Sequence, residues 1–231
     1  MSHQLDINEK MRAILVDWII EVHLKFKLLP ETLFLTVGLI DRFLERVKIQ
    51  RSNLQLVGVT AMLIASKYEE IYAPGITDFV YITDNAYSKE DIFLMEHSIL
   101  CTLEFNILIP SSFRFLERFA KVAEATPKLL NLCRYLIELP LIEQRMLKYS
   151  PSTMAASAVY LSQKIILGLD ACWTPALKHH TGYSEIDLRS CAKDMCILLG
   201  GIEKCTLQSV RKKFSLQRFM EVALIKLEQQ Q

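Results

Sequence analysis

The sequence predicts an all-α fold, and three observations carry that prediction. Apolar residues recur at spacings of three and four along almost every segment, whereas the strict alternation typical of strands is rare. Only 7 Gly and 7 Pro interrupt the 231 residues. The helical pattern starts again after Ile109-Pro110, so we expect two tandem bundles of helices.

The first bundle is predicted to begin with a long helix. Asp6 can cap this helix while Glu9 reaches back to the cap, and the helix runs to about Lys27 before Pro30. Further helices are predicted at Glu31–Arg46, Ser52–Glu70, a short segment before Thr83, and Ser88–Leu103. The last of them opens with the capping box Ser88-x-x-Asp91.

The second bundle repeats this order. Its helices are predicted at Ser112–Glu124, Pro127–Glu143, Ser150–Leu167 and Ser184–Leu199, the second of them kinked at Pro140. Val57 aligns with Met154 and Pro30 with Pro127, both at an offset of 97 residues, which indicates two copies of one unit.

The third helix of each bundle is expected to be its central, buried helix. Small side chains that allow close helix approach stand on one side of each, at Gly58, Ala61 and Ala65 and at Ala155, Ala158 and Ser162. Charges are few along both helices, which indicates burial. The expected core positions are Leu56, Val59, Leu63, Ala156, Val159 and Leu161.

Composition excludes several classes of protein. A formal net charge of +1 argues against a protein held mainly by nucleic-acid phosphates. The longest uncharged stretch, Ser52 to Ser66, is shorter than the ~18 to 20 residues that cross a bilayer. We therefore expect no nucleic-acid or membrane partner and an intracellular protein, in the nucleus and/or the cytoplasm.

The cysteines and histidines offer no metal or disulfide framework. No C-x-x-C pair occurs, so we expect reduced and mostly buried thiols at Cys101, Cys133, Cys172, Cys191, Cys196 and Cys205. His179-His180 is read as a surface or helix-end pair. Phosphate-binding loops and the known catalytic motifs are missing from the sequence, so we expect neither an enzyme nor a cofactor.

The first helix is apolar around most of its circumference, which leaves two interpretations open. Met11, Ile14 and Trp18 fall in one stripe, but Val16 and Ile19 cover another side. The helix could be wholly central, which periodicity alone favours, or the stripe could stay partly exposed as a docking patch. Two charged features, Lys67 with Glu69 and Glu70, and Glu96, are by themselves ordinary solvated helix positions.

At these residues the sequence resembles the cyclins, and within them the B-type mitotic cyclins. The matching segments, in the family's order, are Met11-Arg-Ala-Ile-Leu-Val-Asp-Trp18, Leu54-Gln-Leu-Val-Gly58, Ala65-Ser-Lys-Tyr-Glu-Glu70 and Met95-Glu-His97. Trp173-Thr-Pro175 looks more B-type than A-type. The resemblance implies two five-helix cyclin boxes, at residues 1–108 and at residues 109–231 with a C-terminal helix.

The resemblance further implies a non-enzymatic subunit that binds and activates a cyclin-dependent serine/threonine kinase in G2/M control. The positions that match the family's kinase-binding residues are Lys67, Glu96, Ile64, Tyr68, Leu100, Phe105 and Ile107. We expect Lys67 and Glu96 to form charge-assisted bonds to the kinase around an apolar centre.

The resemblance also implies a function for the stripe on the first helix. In the family, the matching surface docks Arg-x-Leu motifs of substrates and inhibitors. The matching positions are Met11, Ile14, Leu15, Trp18, Glu21, Leu54 and Gln55. The apolar residues would hold the Leu, and Glu21 would hold the Arg. With the resemblance, docking becomes the favoured interpretation of Met11, Ile14 and Trp18.

One alternative function and one departure from the family remain. Cyclin-like bundles also occur in transcription factors and pocket proteins, but the near-neutral charge opposes DNA binding, and the only notable basic group, Arg211-Lys212-Lys213 with Arg218, is short and is read as a solvated helix face. Family members carry a destruction signal and an extra helix ahead of the first box, and we expect this chain to lack most of that region.

Overall fold

The computed structural model of the chain describes residues 3–168 and 173–225, and within them every regular element is a helix. The all-α prediction is confirmed. Contacts between helices divide the chain into two units, Met1–Ile109 and Pro110–Gln231.

The first unit contains five α-helices between residues 3 and 109. They are α1 (Glu9–Phe26), α2 (Pro30–Arg46), α3 (Leu54–Glu69), α4 (Ile76–Ile82) and α5 (Lys89–Thr102). A single 3₁₀ turn, Arg51–Asn53, precedes α3. The capping box that was predicted for α5 is present: the Asp91 side chain accepts from the Ser88 backbone N–H, and the Asp91 N–H donates to the Ser88 hydroxyl.

Helix α3 is the centre of the first unit, as the sequence predicts, and packs against the other four helices. Its residues from Leu54 to Ser66 are buried, apart from the half-buried Gln55. A Cβ atom added at Gly58 would lie 2.7 Å from Leu15 Cδ1, so α1 approaches α3 as closely as a glycine allows. Leu56, Val59 and Leu63 are core residues, as predicted.

The start of α1 differs from the prediction. Asn8 is the N-cap and its side-chain oxygen accepts from the Met11 N–H, whereas the Asp6 carboxylate accepts from the Arg51 N–H at 2.6 Å. Asp6 therefore joins the start of α1 to the turn before α3 and does not cap a helix. The buried Arg12 then ties α1 to α2 through a two-bond contact with the Asp41 carboxylate.

The second unit contains six α-helices within the described residues. They are α6 (Ser112–Val122), α7 (Pro127–Glu138), α8 (Pro151–Leu167), α9 (Pro175–Thr181), α10 (Glu185–Gly201) and α11 (Ser209–Phe214). Helix α8 packs against α6, α7 and α10, and its small residues Ala155, Ala158 and Ser162 are fully buried. Ala156, Val159 and Leu161 lie in the core. The prediction of a central helix in the second bundle is therefore also confirmed.

Pro140 ends a helix where a kink was predicted. Helix α7 stops at Glu138, and the chain continues as a 3₁₀ segment, Leu139–Ile142, because proline cannot donate the next helical hydrogen bond. No bounds were predicted for α9 and α11, and both helices are short, at seven and six residues.

Two further predictions about side chains are wrong. Lys213 is buried and donates to both carboxylate oxygens of Glu138, at 2.6 and 2.8 Å, so it does not belong to the solvated face predicted for this basic group, whereas Lys212 and Arg218 are exposed. Cys133 and Cys191 are buried thiols, but Cys101 and Cys196 are exposed because they lie on outward sides of α5 and α10. Cys172 lies outside the described residues.

Within the part of the chain that the structure describes, none of the helices is long and apolar enough to cross a membrane.

Candidate functional site

The first unit carries a charged pair at the C-terminal end of α3. Lys67 Nζ lies 2.8 Å from Glu96 Oε1 and 2.9 Å from Glu96 Oε2, so the ammonium bridges both carboxylate oxygens. The Lys67 side chain is 49% exposed and that of Glu96 15%. The two residues that the sequence predicts at a kinase interface therefore bind each other in the free chain.

The packing of α5 on α3 positions this pair. Ile92 and Ile99, four residues before and three residues after Glu96, are fully buried, so Glu96 lies on the side of α5 that faces the bundle. On α3, the buried stretch ends at Ser66, and Lys67 is the first exposed residue of the helix.

Two aromatic side chains stand exposed at the C-terminal ends of the same two helices. Tyr68 follows Lys67 and is 50% exposed, and Phe105 lies just after α5 and is 66% exposed. Leu100 and Ile107 are half-buried. With Lys67 and Glu96 they form what we call the charged face: Lys67, Tyr68, Glu96, Leu100, Phe105 and Ile107.

Ile64 is the exception among the predicted kinase-binding residues. Its side chain is 3% exposed and belongs to the core of the first unit, because it lies one turn before the point at which α3 emerges from the bundle. In this conformation, Ile64 therefore cannot contact a partner directly.

The backbone that presents Phe105 is held in an unfavourable conformation. Glu104 and Phe105 have φ angles of 54° and 57°, in the left-handed region that costs non-glycine residues about 1 to 2 kcal/mol each. The Arg46 guanidinium donates to the Thr102 carbonyl and that of Arg42 to the Asn106 carbonyl, both at 2.7 Å. These bonds from α2 keep the turn in place, and such strain is concentrated at functional sites.

The second feature of the first unit is an apolar groove between α1 and the start of α3. Its volume is about 270 Å³, and we call it the α1–α3 groove. Its lining residues are Met11, Ile14, Leu15, Trp18, Arg51, Leu54 and Gln55. Six of the seven predicted docking residues are among them.

Helix α1 is both a core helix and a partly exposed one, so each of the two interpretations describes part of it. Val16, Ile19 and Ile20 are fully buried, so one side of α1 belongs to the core. Ile14 is 50% exposed and lines the groove, so the opposite side remains available to a partner. The exposed patch and the central packing coexist because α1 is apolar on more than one face.

The groove differs from the prediction at its polar residues. Glu21 is exposed one turn beyond Trp18 but does not line the groove, whereas Arg51 does. Arg51 was not among the predicted docking residues, although its position three residues before Leu54 was a usable signal. Glu70 was predicted to be solvated, but its carboxylate accepts from the Leu29 N–H at 2.7 Å and caps α2 from a distance.

The pair of histidines that the sequence singles out lies in the second unit. His180 Nδ1 lies 3.2 Å from Arg118 Nη2, and the His179 and His180 rings meet edge to face in the last turn of α9. Among the described residues, no group of three or more His, Cys, Asp or Glu side chains could hold a metal ion.

Comparisons with known proteins identify both units. The family described as "Cyclin, N-terminal domain" matches residues 1–108, and the one described as "Cyclin, C-terminal domain" matches residues 110–228. A "G2/mitotic-specific cyclin-B" of Hydra vulgaris is 48% identical over 97% of this chain and 62% of its own length. "Cyclin-B1-3" of Arabidopsis thaliana is also 48% identical, over 97% of this chain and 54% of its own length. The chain thus spans little more than half the length of these curated relatives.

Two solved structures share the fold. The X-ray structure of a viral cyclin from herpesvirus saimiri superposes with a TM-score of 0.73 at 19% identity, covering 85% of this chain and 89% of that one. A chain of the CAK complex from Chaetomium thermophilum bound to ATP-γ-S superposes with a TM-score of 0.59 at 15% identity, covering 96% of this chain and 76% of that one.

Proposed function

Because this chain belongs to the cyclin family, we propose that it is a non-catalytic regulatory subunit that binds and activates a cyclin-dependent kinase in G2/M control. The B-type cyclins among its relatives support this assignment. We assign residues 1–108 to a first cyclin box, and residues 109–231 to a second box with a C-terminal helix. Its place of action would be the nucleus and/or the cytoplasm.

The main structural support for this proposal is the composition of the charged face. A bidentate ion pair beside two exposed aromatic rings has the composition of an interface centre, in which charge gives specificity and aromatic area gives affinity. Most of this face belongs to helices fixed in a packed bundle, so a partner would meet a preformed surface.

Such a surface would activate a kinase by selecting one of its conformations. A protein kinase positions ATP only when a Lys–Glu ion pair that includes a Glu of its movable regulatory helix is assembled. A rigid partner that binds only the inward position of this helix shifts the population by its differential affinity. Lys67 and Glu96 would exchange their mutual bonds for bonds to the kinase as the face becomes desolvated.

Reconstitution with purified cyclin-dependent kinases tests this function. The double variant Lys67→Ala, Glu96→Ala should abolish activation, since losing buried charged contacts at an interface costs about 2 to 5 kcal/mol of binding. Its thermal unfolding should be nearly unchanged, because exposed ion pairs contribute roughly 0 to 1 kcal/mol. A matched control removes another exposed pair, Glu185–Arg189 on α10, and should activate normally.

A charge-swapped variant separates the two roles that the pair could have. Lys67→Glu with Glu96→Lys keeps an ion pair within the chain but reverses both charges toward a partner. If this variant activates the kinase as well as the wild type, the pair only maintains the fold of the face. Full activation by the double alanine variant would overturn the assignment of the face.

We also assign substrate recruitment to the α1–α3 groove, which would dock Arg-x-Leu motifs with Leu among the apolar side chains and Arg near Glu21. Trp18→Ala, and Ile14→Ala as a variant at a half-exposed position, should weaken phosphorylation of an Arg-x-Leu substrate. Phosphorylation of a substrate without the motif should continue. Equal loss of both activities would indicate a folding defect and would remove the support for docking.

A further inference from the structure

The end of α5 combines an ordinary helix ending with a second residue in an unusual conformation. The Phe105 N–H donates to the Leu100 carbonyl at 2.9 Å, and the Glu104 N–H donates to the carbonyl of residue 101 at 3.0 Å. These two bonds form the Schellman motif, which needs one left-handed residue, usually a glycine, at position 104. The motif accounts for the φ of 54° at Glu104 but does not require the φ of 57° at Phe105. We call Glu104 and Phe105 the left-handed pair.

The end of α1 shows the same motif without the second left-handed residue. The Leu28 N–H donates to the His23 carbonyl at 3.2 Å, and the Lys27 N–H donates to the Leu24 carbonyl at 3.3 Å. Lys27 has a φ of 56°, whereas φ is negative at Leu28. The second residue of the left-handed pair is therefore an addition to the helix ending, and contacts from outside α5 must offset its cost.

Two arginines of α2 supply such contacts. Arg46 donates to the Thr102 carbonyl, directly before the turn, at 2.7 Å. Arg42 donates to the Asn106 carbonyl, directly after the left-handed pair, also at 2.7 Å. The two arginines lie four residues apart and so share one side of α2. Thr102 ends α5, where the carbonyls lack helical partners and carry the negative end of the helix dipole, so a cation is favoured there.

We propose that Arg42 and Arg46 are positioning residues for partner binding, because they hold the left-handed pair in the conformation that presents the Phe105 ring on the charged face. The proposal rests on the kinase-binding function above and adds α2, which contributes no residue to that face. The ring is 66% exposed, so its own burial does not fix the turn. Without the two guanidinium groups the turn would populate other conformations, and the apparent affinity for a partner would fall with the fraction of competent molecules.

Binding to a purified cyclin-dependent kinase that wild type activates tests the proposal. Arg42→Met with Arg46→Met keeps the aliphatic stems but removes both donors, and should weaken binding by about fivefold or more, the factor that corresponds to one left-handed residue. Arg42→Lys with Arg46→Lys retains donors and should bind more tightly than the double Met variant. As a control, Arg114→Met with Arg118→Met removes an equally spaced pair on α6 that binds side chains, and should leave kinase binding unchanged.

A glycine substitution separates positioning from overall stability. Glu104→Gly removes the conformational cost at one residue of the left-handed pair, because glycine adopts this region freely. Added to the double Met variant, it should restore kinase binding by about fivefold. Lys27→Gly relieves the equivalent residue at the end of α1, which is not part of the charged face, and should restore nothing. Equal restoration by both glycines would show that the arginines act only through stability and would overturn the proposal.

Amide hydrogen exchange at Phe105 reports on the turn without any kinase. Its N–H is bonded to the Leu100 carbonyl, so exchange should be several-fold faster in the double Met variant and slower again once Glu104→Gly is added. Unchanged exchange would overturn the positioning role, even if binding falls. If wild type binds no kinase, the proposed function is wrong, and the role of the arginines in partner binding falls with it. If wild type and the double Met variant bind a kinase equally, the function stands and the role of Arg42 and Arg46 is overturned.

Discussion

Replacement of Lys213 by Met should lower the free energy of unfolding of the second unit by about 3 to 5 kcal/mol. Lys213 Nζ lies 2.6 and 2.8 Å from the carboxylate oxygens of Glu138, and the two side chains are 3% and 4% exposed. Methionine retains most of the aliphatic stem and removes the ammonium, which lies 5.3 Å from the centre of the Phe214 ring and 5.9 Å from that of Phe219. The substitution therefore mainly leaves a buried carboxylate without its cation.

The penalty should depend on pH in a direction that identifies its cause. Burial raises the pKa of Glu138 above its ordinary value of 4.5, and the Lys213 cation opposes that rise. A carboxyl whose pKa is higher in the folded state contributes stability at low pH and loses it as pH rises through the folded-state pKa. Lys213→Met removes the opposing cation, so its penalty should be small near pH 4 and full at pH 8.

Urea unfolding measures this effect in the unit concerned. In a Trp18→Phe background, Trp173 is the fluorescent reporter, and its indole N–H donates to the Tyr183 carbonyl in the second unit. The control is Glu138→Leu with Lys213→Met, which removes both charges and should be neutral or stabilising by up to about 4 kcal/mol. A single variant that loses less than 1 kcal/mol at pH 8 would refute the reasoning.

Two further predictions concern the first unit. Gly58→Ala should destabilise the protein by about 1 to 3 kcal/mol in urea unfolding, because the new Cβ would meet Leu15, whereas Gly200→Ala in α10 meets nothing within 4 Å and should be neutral or stabilising. Hydrogen bonds from the Ser88 hydroxyl and backbone N–H lower the pKa of Asp91, so this capping stabilisation is present above pH 3.8 and lost as pH falls through the lowered pKa. The urea-midpoint difference between wild type and Ser88→Ala should therefore shrink from pH 5 to pH 2, and a constant difference would contradict this origin.

Elements set by local chemistry could be predicted from the sequence. Ser88 and Ser184 cap their helices through residues three positions away, so the pattern itself contains both partners. The start of α1 could not be chosen in this way, since Asp6 and Asn8 are both good capping residues. Asp6 instead binds the backbone of Arg51, 45 residues away, and no local pattern contains that partner.

In the candidate site, too, the sequence predicts local features but not the contacts between distant segments. The family resemblance brought Lys67 and Glu96 to one surface, but their mutual pairing depends on how α5 packs on α3, across 29 residues of sequence. Ile64 and Tyr68 share one side of α3 at a spacing of four, so helical periodicity cannot tell them apart. Only the length over which α3 is covered, through Ser66, makes Ile64 a core residue and Tyr68 an exposed one.

Helix α3 contributes to both proposed surfaces and keeps them apart. It presents Leu54 and Gln55 to the α1–α3 groove at its first turn and Lys67 to the charged face near its last. Twelve residues separate Gln55 from Lys67, about 18 Å along the axis, and the two surfaces share no residue. If both proposals hold, a kinase and a docked substrate would contact different residues and would be able to bind at the same time. Groove variants should accordingly change substrate choice and leave activation intact, and variants of the charged face should do the reverse.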